Sequence, residues 1–186
     1  MRKSAGVLLY RRESDDVSVM LLHPGGPYWA RRDLGAWSIP KGEYDEPETP
    51  EAAARREFFE ETGLRLGAEL QPLGEVRQSG SKRVVAFAAE GDCDPDRLSS
   101  NEFRIEWPPH SGQLKFFPEI DRGEWFPLAL ARDKIVAGQR PFLDRLEAQI
   151  AEADPSEPAA QRAEGGTYSS SSAQGSSTTF PSSAER

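Results

Sequence analysis

Cysteine and histidine are nearly missing from this 186-residue sequence, which has one cysteine, Cys93, and two histidines, His23 and His110. A single thiol excludes an internal disulfide, and so few soft ligands argue against a thiolate–imidazole zinc site. Long apolar runs are missing too. The longest, Val84-Val85-Ala86-Phe87-Ala88-Ala89, is far short of the roughly 20 residues that cross a bilayer as a helix. The first residues lack the apolar core of a secretory leader. Hydrophobic residues reach only 37%, below the usual ~45–50%, although that usual figure also counts glycine. There is no excess of basic charge: the formal net charge is −8, which argues against a generally basic nucleic-acid binder. The expectation is a cytoplasmic chain of one domain plus a tail, with no membrane partner and no specific nucleic-acid partner.

The acidity that is present is local. Residues 43–61 hold eight acids and two bases, and residues 151–186 hold five acids and two bases, so the remainder of the chain stands at +1. The C-terminal segment is rich in Ser, Thr, Ala, Gly and Pro. It has too little apolar area to offset its ordering entropy, and residues 152–186 are expected to form a disordered, acidic, Ser-rich tail behind a domain of residues 1–151.

Within that domain, strand-like and helix-like patterns alternate. Residues 6–12 and 17–23 are apolar runs around the acidic turn Ser14-Asp15-Asp16, which reads as a strand pair. Further strands are expected over 73–78 and 82–89, weaker ones over 103–107 and 113–117, and a short one over 125–127. Residues 128–137 and 141–151 have helical spacing, with Phe142, Leu143, Leu146 and Ile150 on one stripe and Pro141 suited to a first turn. A mixed sheet flanked by helices, an α/β fold, follows.

One helix has both ends written in the sequence. Thr49 is suited to the N-cap, Pro50 to the first turn and Gly63 to a left-handed stop, predicting a helix over 50–62. With Glu57 set at 0° and about 100° per residue, Glu60 falls near −60° and Glu61 near +40°. Three carboxylates share one arc, while Phe59 and Ala52 fall on the far side at about 200° and 220°, with Phe58 on one flank. The helix thus reads as two-faced, aromatic toward a core and carboxylate toward something else. A merely solvated acidic face calls for lysine support at i,i+4, and this helix has no lysine. A hard divalent cation, which prefers oxygen ligands and keeps several waters, is the functional alternative.

The spacing decides between them. Gly42, Glu48, Arg56-Glu57-Phe58-Phe59-Glu60-Glu61-Thr62-Gly63-Leu64 spell G-x(5)-E-x(7)-R-E-U-x-E-E-x-G-U, where U is apolar. On these residues the chain resembles the Nudix hydrolases, and the strand order around the motif extends the resemblance over about residues 3–150. The resemblance implies an α/β/α sandwich with a mixed β-sheet. It implies cleavage of a phosphoanhydride bond in a nucleoside diphosphate-linked substrate by water, with Mg²⁺ or Mn²⁺. Glu57, Glu60 and Glu61 would hold the metal together with the carbonyl of Lys41, one of the glutamates also being open to the role of base. Arg56 would orient a catalytic glutamate, and Glu48 would hold the loop before the helix. Leu64 and Phe58 are expected in the core. A further acid is expected from a later loop. Glu119, six residues before Trp125, is the first choice as metal ligand or base, with Glu102, Glu106 and Glu124 as rivals.

The substrate is less legible. Trp37-Ser38-Ile39-Pro40-Lys41-Gly42 is similar to the lead-in of diadenosine polyphosphate hydrolases and diphosphoinositol phosphatases, and residues 101–109 are similar to a bacterial group of predicted nucleoside triphosphate pyrophosphohydrolases. A nucleoside triphosphate or a dinucleoside polyphosphate is the leading expectation, and a nucleotide sugar of the ADP-ribose type is the alternative. Lys41, Lys82 and Arg83 would meet phosphates or would simply be solvated. Trp107, like Trp29, would either stack on a base or pack in the core. A binding module that senses a nucleotide without turnover, or an acidic helix in a scaffold protein, remains a different class of answer. The resemblance allows a homodimer, and no interface is legible.

Overall fold

The computed structural model describes residues 3–13, 16–67, 69–78 and 82–153. The serine-rich segment from residue 154 onward, including the expected disorder, lies outside the described residues. By contacts the chain divides into residues 1–150 and residues 151–186, and the first of these carries the fold.

Among the described residues, eight strands and three α-helices follow in order: β1 (Lys3–Glu13), β2 (Asp16–Pro24), β3 (Lys41–Glu43), α1 (Pro50–Thr62), β4 (Gln71–Arg77), β5 (Arg83–Glu90), β6 (Glu102–Glu106), β7 (Leu114–Pro118), β8 (Ile120–Pro127), α2 (Leu128–Lys134) and α3 (Arg140–Ala153). The main sheet runs β4-β5-β1-β2-β8. It is mixed, because β1 and β5 are parallel while the other neighbours are antiparallel. β6 and β7 form a separate two-stranded hairpin.

One edge of β1 is shared, and that sharing builds the site. The C-terminal half of β1 pairs with β2, Tyr10 opposite Val19. Its N-terminal half pairs with β3, Gly6 opposite Lys41. The chain from Trp37 to Pro40 fills the gap between the two strands. Ser38 and Leu22 exchange both backbone hydrogen bonds, and the Val7 N–H donates to the Pro40 carbonyl at 3.0 Å. Trp37 and Ile39 are buried anchors for this segment.

Apolar side chains alternate across β1, so the sheet is covered on both faces. On one face Leu8 packs with Leu21, Trp37, Ile39 and the α3 residues Phe142, Leu143 and Leu146. On the other, Ala5, Val7 and Leu9 pack with Ala53, Ala54 and Phe58 of α1. The architecture is therefore an α/β/α sandwich.

Two sequence expectations need correcting. The strand expected over 125–127 runs over Ile120–Pro127. Asp121-Arg122-Gly123-Glu124 disguised it, because β8 lies at the end of the sheet and shows much of its surface to solvent. The helix expected over 128–137 stops at Lys134. Ile135 is drawn into a parallel bridge with Trp37, and the Val136 N–H donates to the Trp37 carbonyl at 2.8 Å, a tertiary contact that local periodicity does not encode.

Candidate active site

The helix α1 forms where the sequence placed it. The Thr49 hydroxyl accepts the Ala52 N–H at 3.2 Å, Pro50 opens the first turn, and Gly63 ends the helix at φ 74°. Its faces differ from expectation. The buried residues are Ala53, Ala54, Phe58 and Thr62, while Phe59 is 39% exposed with the Arg65 guanidinium 4.4 Å from its ring centroid. On the helical wheel those buried residues stand at about −40°, 60°, 100° and 140°. Glu57 and Glu61, at about 0° and 40°, fall inside that buried arc, so the carboxylate and core faces are not opposed. Glu60 and Arg56 stand on its rim.

The surroundings show what this does. Glu57 is 13% exposed at its side chain, and a Cβ added to Gly42 would come within 1.9 Å of its carboxylate. The glycine is thus a space requirement, letting the β3 backbone lie directly against Glu57. Glu61 accepts the backbone N–H of Lys41 at 2.7 Å. Burial raises the carboxyl of Glu57. It pushes Glu61 up to about 7, with the charges of Glu57 and Glu119 acting in the same direction and Lys41 opposing. The Lys41 amine is itself lowered by burial, against the opposing pull of Glu61.

Arg56 organises the rim. Its Nε and Nη2 form a fork on the two oxygens of Glu48, both at 2.9 Å. Nη1 donates to Glu57 at 2.6 Å and to Glu60 at 3.1 Å. Nη2 also donates to the Glu43 carbonyl at 3.3 Å. Glu48, lowered by Arg56, therefore ties the loop before the helix to the carboxylate cluster. Among the described residues, no three Asp, Glu, His or Cys side chains converge as a ready metal cage. The carboxylates are turned toward Arg56 and the Lys41 amide instead. Even so, hard oxygen donors in a water-poor cleft, with Glu57 and Glu61 raised first by burial and then by neighbouring carboxylates, are a donor set that suits a divalent cation.

The other expected residues are placed as follows. Glu119 sits between β7 and β8. Its N–H donates to the Asn101 carbonyl and its own carbonyl accepts the Gly25 N–H, both at 2.8 Å. Its charge is felt at Glu61. Of its rivals, Glu106 accepts the Gly112 N–H within the hairpin tip, Glu102 begins β6, and Glu124 lies in β8 opposite Leu21. Lys82 is 3.7 Å from Glu43, next to the end of β3. Arg83 turns instead to Glu75 on β4 at 2.7 Å. Trp107 stands at the hairpin tip, its ring edge-on to Tyr28 at 5.3 Å. Trp29 packs at the border of the α3-side core.

One pair escaped the sequence reading. His23 is fully buried. Its Nδ1 is 2.7 Å from Asp121 Oδ1 and its Nε2 is 2.7 Å from the Arg32 carbonyl. Its two ring nitrogens thus face a carboxylate on one side and a backbone carbonyl on the other. His23 thereby joins the 25–36 loop to the strand that follows Glu119. The only advance signal was a polar residue in an apolar run, which has many explanations. His23→Phe keeps an aromatic ring against Trp37 but removes both ring nitrogens and their polar contacts. It is expected to lower unfolding free energy by about 1–3 kcal/mol, measured by urea denaturation; an unchanged midpoint would show that the two bonds add nothing.

Comparison with known proteins bears on this geometry. The family model for the NUDIX domain matches residues 1–146. The RNA pyrophosphohydrolase of Rhizobium meliloti (strain 1021) is 30% identical over 144 residues, covering 67% of this chain and 84% of that protein. The 8-oxo-(d)GTP phosphatase of Mycolicibacterium smegmatis is 29% identical over 151 residues, covering 72% of this chain but 37% of that protein. Among solved structures, an Ap4A hydrolase of C. elegans in binary complex superposes with a TM-score of 0.57 at 23% identity, covering 82% of this chain and 99% of that one. At that identity the likeness speaks for the fold.

Proposed function

The chain belongs to the Nudix family of hydrolases, which act on phosphorus-containing anhydrides, and from that premise we propose that it is a pyrophosphohydrolase of a nucleoside triphosphate or a dinucleoside polyphosphate. The observation that carries the reading is the half-buried Glu57–Glu61 pair, held against the Gly42 backbone and the Lys41 amide. Divalent ions are general to the family; here we assign Mg²⁺ or Mn²⁺ to Glu57, Glu60, Glu61 and the Lys41 carbonyl. Such an ion neutralises diphosphate charge and lowers the pKa of bound water.

The chain's own residues do the rest. Arg56 holds Glu57 and Glu60 in orientation. Lys41 and Lys82 line the approach for a polyphosphate, with Arg83 further out on β5. Trp107, with Tyr28 against it, offers a ring on which a base can stack. As a water oxygen bonds to phosphorus, the bridging P–O bond breaks and its electron pair leaves with the departing phosphate. Glu119 is the acceptor we assign for the water proton. The names of the relatives support a substrate with a nucleoside polyphosphate end, RNA included. The same reading takes the domain to the end of α3 at Ala153, two residues past the expected boundary, and assigns the protein to the cytoplasm, where such nucleotides are found.

The test is phosphate and pyrophosphate release with Mg²⁺ and with Mn²⁺. The panel holds nucleoside triphosphates, oxidised GTP, diadenosine tetraphosphate, 5′-triphosphorylated RNA and ADP-ribose. Turnover of one of the polyphosphates is expected. Turnover of ADP-ribose alone would replace the substrate class, and binding without turnover would make the protein a sensor. On the preferred substrate, Trp107→Ala is expected to raise KM about tenfold with kcat nearly unchanged, since a base stack contributes ~1–3 kcal/mol of uniform binding. An unaltered KM would remove Trp107 from the site.

A further inference from the structure

Glu119, the proposed acceptor of the water proton, is an exposed residue between β7 and β8, so its place depends on backbone bonds more than on packing. Its N–H donates to the Asn101 carbonyl and its carbonyl accepts the Gly25 N–H, both at 2.8 Å. The next N–H, of Ile120, donates to the Ser100 hydroxyl at 3.0 Å. Gly25 comes this close because it has no side chain: a Cβ there would lie 2.0 Å from the Pro118 carbonyl oxygen. What brings Gly25 to Glu119, and not to a neighbour, is the register of β2 against β8.

That register has one irregularity. His23 lies opposite Arg122 but Pro24 lies opposite Ile120, so one step along β2 spans two along β8, and Asp121 is the extra residue of a β-bulge. Without the bulge Pro24 would face Asp121, Gly25 would face Ile120, and Glu119 would pass to Gly26. The carboxylate of the extra residue is held. It stands 2.7 Å from His23 Nδ1 and 3.6 Å from Arg122 Nε. The fully buried His23 ring is anchored in turn, through Nε2 to the Arg32 carbonyl at 2.7 Å and edge-on to Trp37 at 5.1 Å. We propose, resting on the proton-acceptor role given to Glu119, that His23 and Asp121 are positioning residues: their contact locks the bulge at Asp121, and the locked bulge sets Glu119 in the site. Neither residue needs to touch substrate. A displaced Glu119 leaves the polyphosphate its other contacts, so the pair acts on kcat rather than on KM.

Asp121→Ala removes the lock. Asp121→Asn keeps it, because an amide offers a ring nitrogen both a donor and an acceptor. With GTP or diadenosine tetraphosphate, whichever is turned over, Asp121→Ala is expected to lower kcat by about 10- to 100-fold, the scale of a misplacement of up to an ångström, with KM nearly unchanged. Asp121→Asn should recover most of the loss. Added to Glu119→Gln, Asp121→Ala should cost nothing further. Amide hydrogen exchange reads the lock without turnover. Asp121→Ala should speed exchange at Gly25 and Glu119 by about tenfold or more and leave Ala53 and Ala54 of α1 at parental rates. Equal acceleration in α1 would reduce the pair to general stability and overturn the proposal. So would parental kcat in Asp121→Ala, no recovery in Asp121→Asn, or a further loss on top of Glu119→Gln. Parental kcat in Glu119→Gln would instead remove the proton-acceptor role, a failure of the earlier reading, and the exchange rates alone would decide the lock. Should Asp121→Ala fail to fold, the unmodified protein decides. The Gly25 and Glu119 amides and the His23 ring N–H must then share one opening free energy, and separate values would overturn the lock.

Discussion

Glu61→Gln is expected to abolish most turnover and yet make the metal-free protein more stable. The loss of turnover follows from removing a charged oxygen from the proposed metal site, and a fall of at least ~100-fold in kcat is the scale for losing one such electrostatic partner. The gain in stability follows from burial. In the unfolded chain this carboxyl ionises near its ordinary value of 4.5, and in the folded protein it is pushed up to about 7. Below pH 4.5 it is protonated in both states and contributes nothing. Between about 4.5 and 7 the native state holds a proton that the unfolded state has lost, so stability falls as pH rises through that window. Above 7 both states are ionised and the full penalty remains, on the order of 1–3 kcal/mol. Glutamine keeps an acceptor for the Lys41 N–H and carries no charge. In chelator at pH 8, Glu61→Gln is therefore expected to melt several degrees higher than the parent, at about 2–4 °C per kcal/mol. Its melting temperature should also decline less than the parent's between pH 5 and 8, the raised Glu57 keeping its own share. A variant that melts lower, or keeps that decline in full, would show that Glu61 is not held under charge strain.

Gly42→Ala is expected to have the second-largest effect, by adding a methyl group rather than removing a functional one. The new Cβ would fall 1.9 Å from the Glu57 carboxylate, an impossible contact, but the atoms it strikes are the far end of a side chain that can swing aside. The fold should survive, with a melting temperature close to the parent's. The Glu57 carboxylate must move by an ångström or more, and a misplacement of that size costs roughly 100-fold in rate. The diagnostic comparison is Gly42→Ala against Gly42→Ala with Glu57→Ala. If displacement of Glu57 is the cause, the double variant is no slower than Glu57→Ala alone. A single variant with parental kcat would mean that β3 does not need to approach the helix this closely.

The sequence alone determined the elements whose signals are local. The span of α1 was legible residue by residue because Thr49, Pro50 and Gly63 act on their own backbone neighbours. The β1–β2 hairpin and the parallel β5 were legible as apolar runs. The motif Gly42, Glu48 and Arg56 to Leu64 was legible because a fixed spacing on one loop and one helix survives in one dimension. What tertiary structure decided is everything that depends on which way those elements face. Helical periodicity set Phe59 opposite the glutamates as a core-facing aromatic, while the family resemblance put Phe58 in the core. The packing of α1 on β1 and β3 buried Phe58 as expected but left Phe59 exposed, and thereby drew Glu57 and Glu61 into the buried arc. The same holds for the end of α2, fixed by a bridge to Trp37, for Arg83, turned away to Glu75, and for His23, whose two partners lie 98 and 9 residues away. Spacing along the chain says which carboxylates can meet. Only the sheet against which their helix rests, and the water it excludes, says what charge they carry when they do.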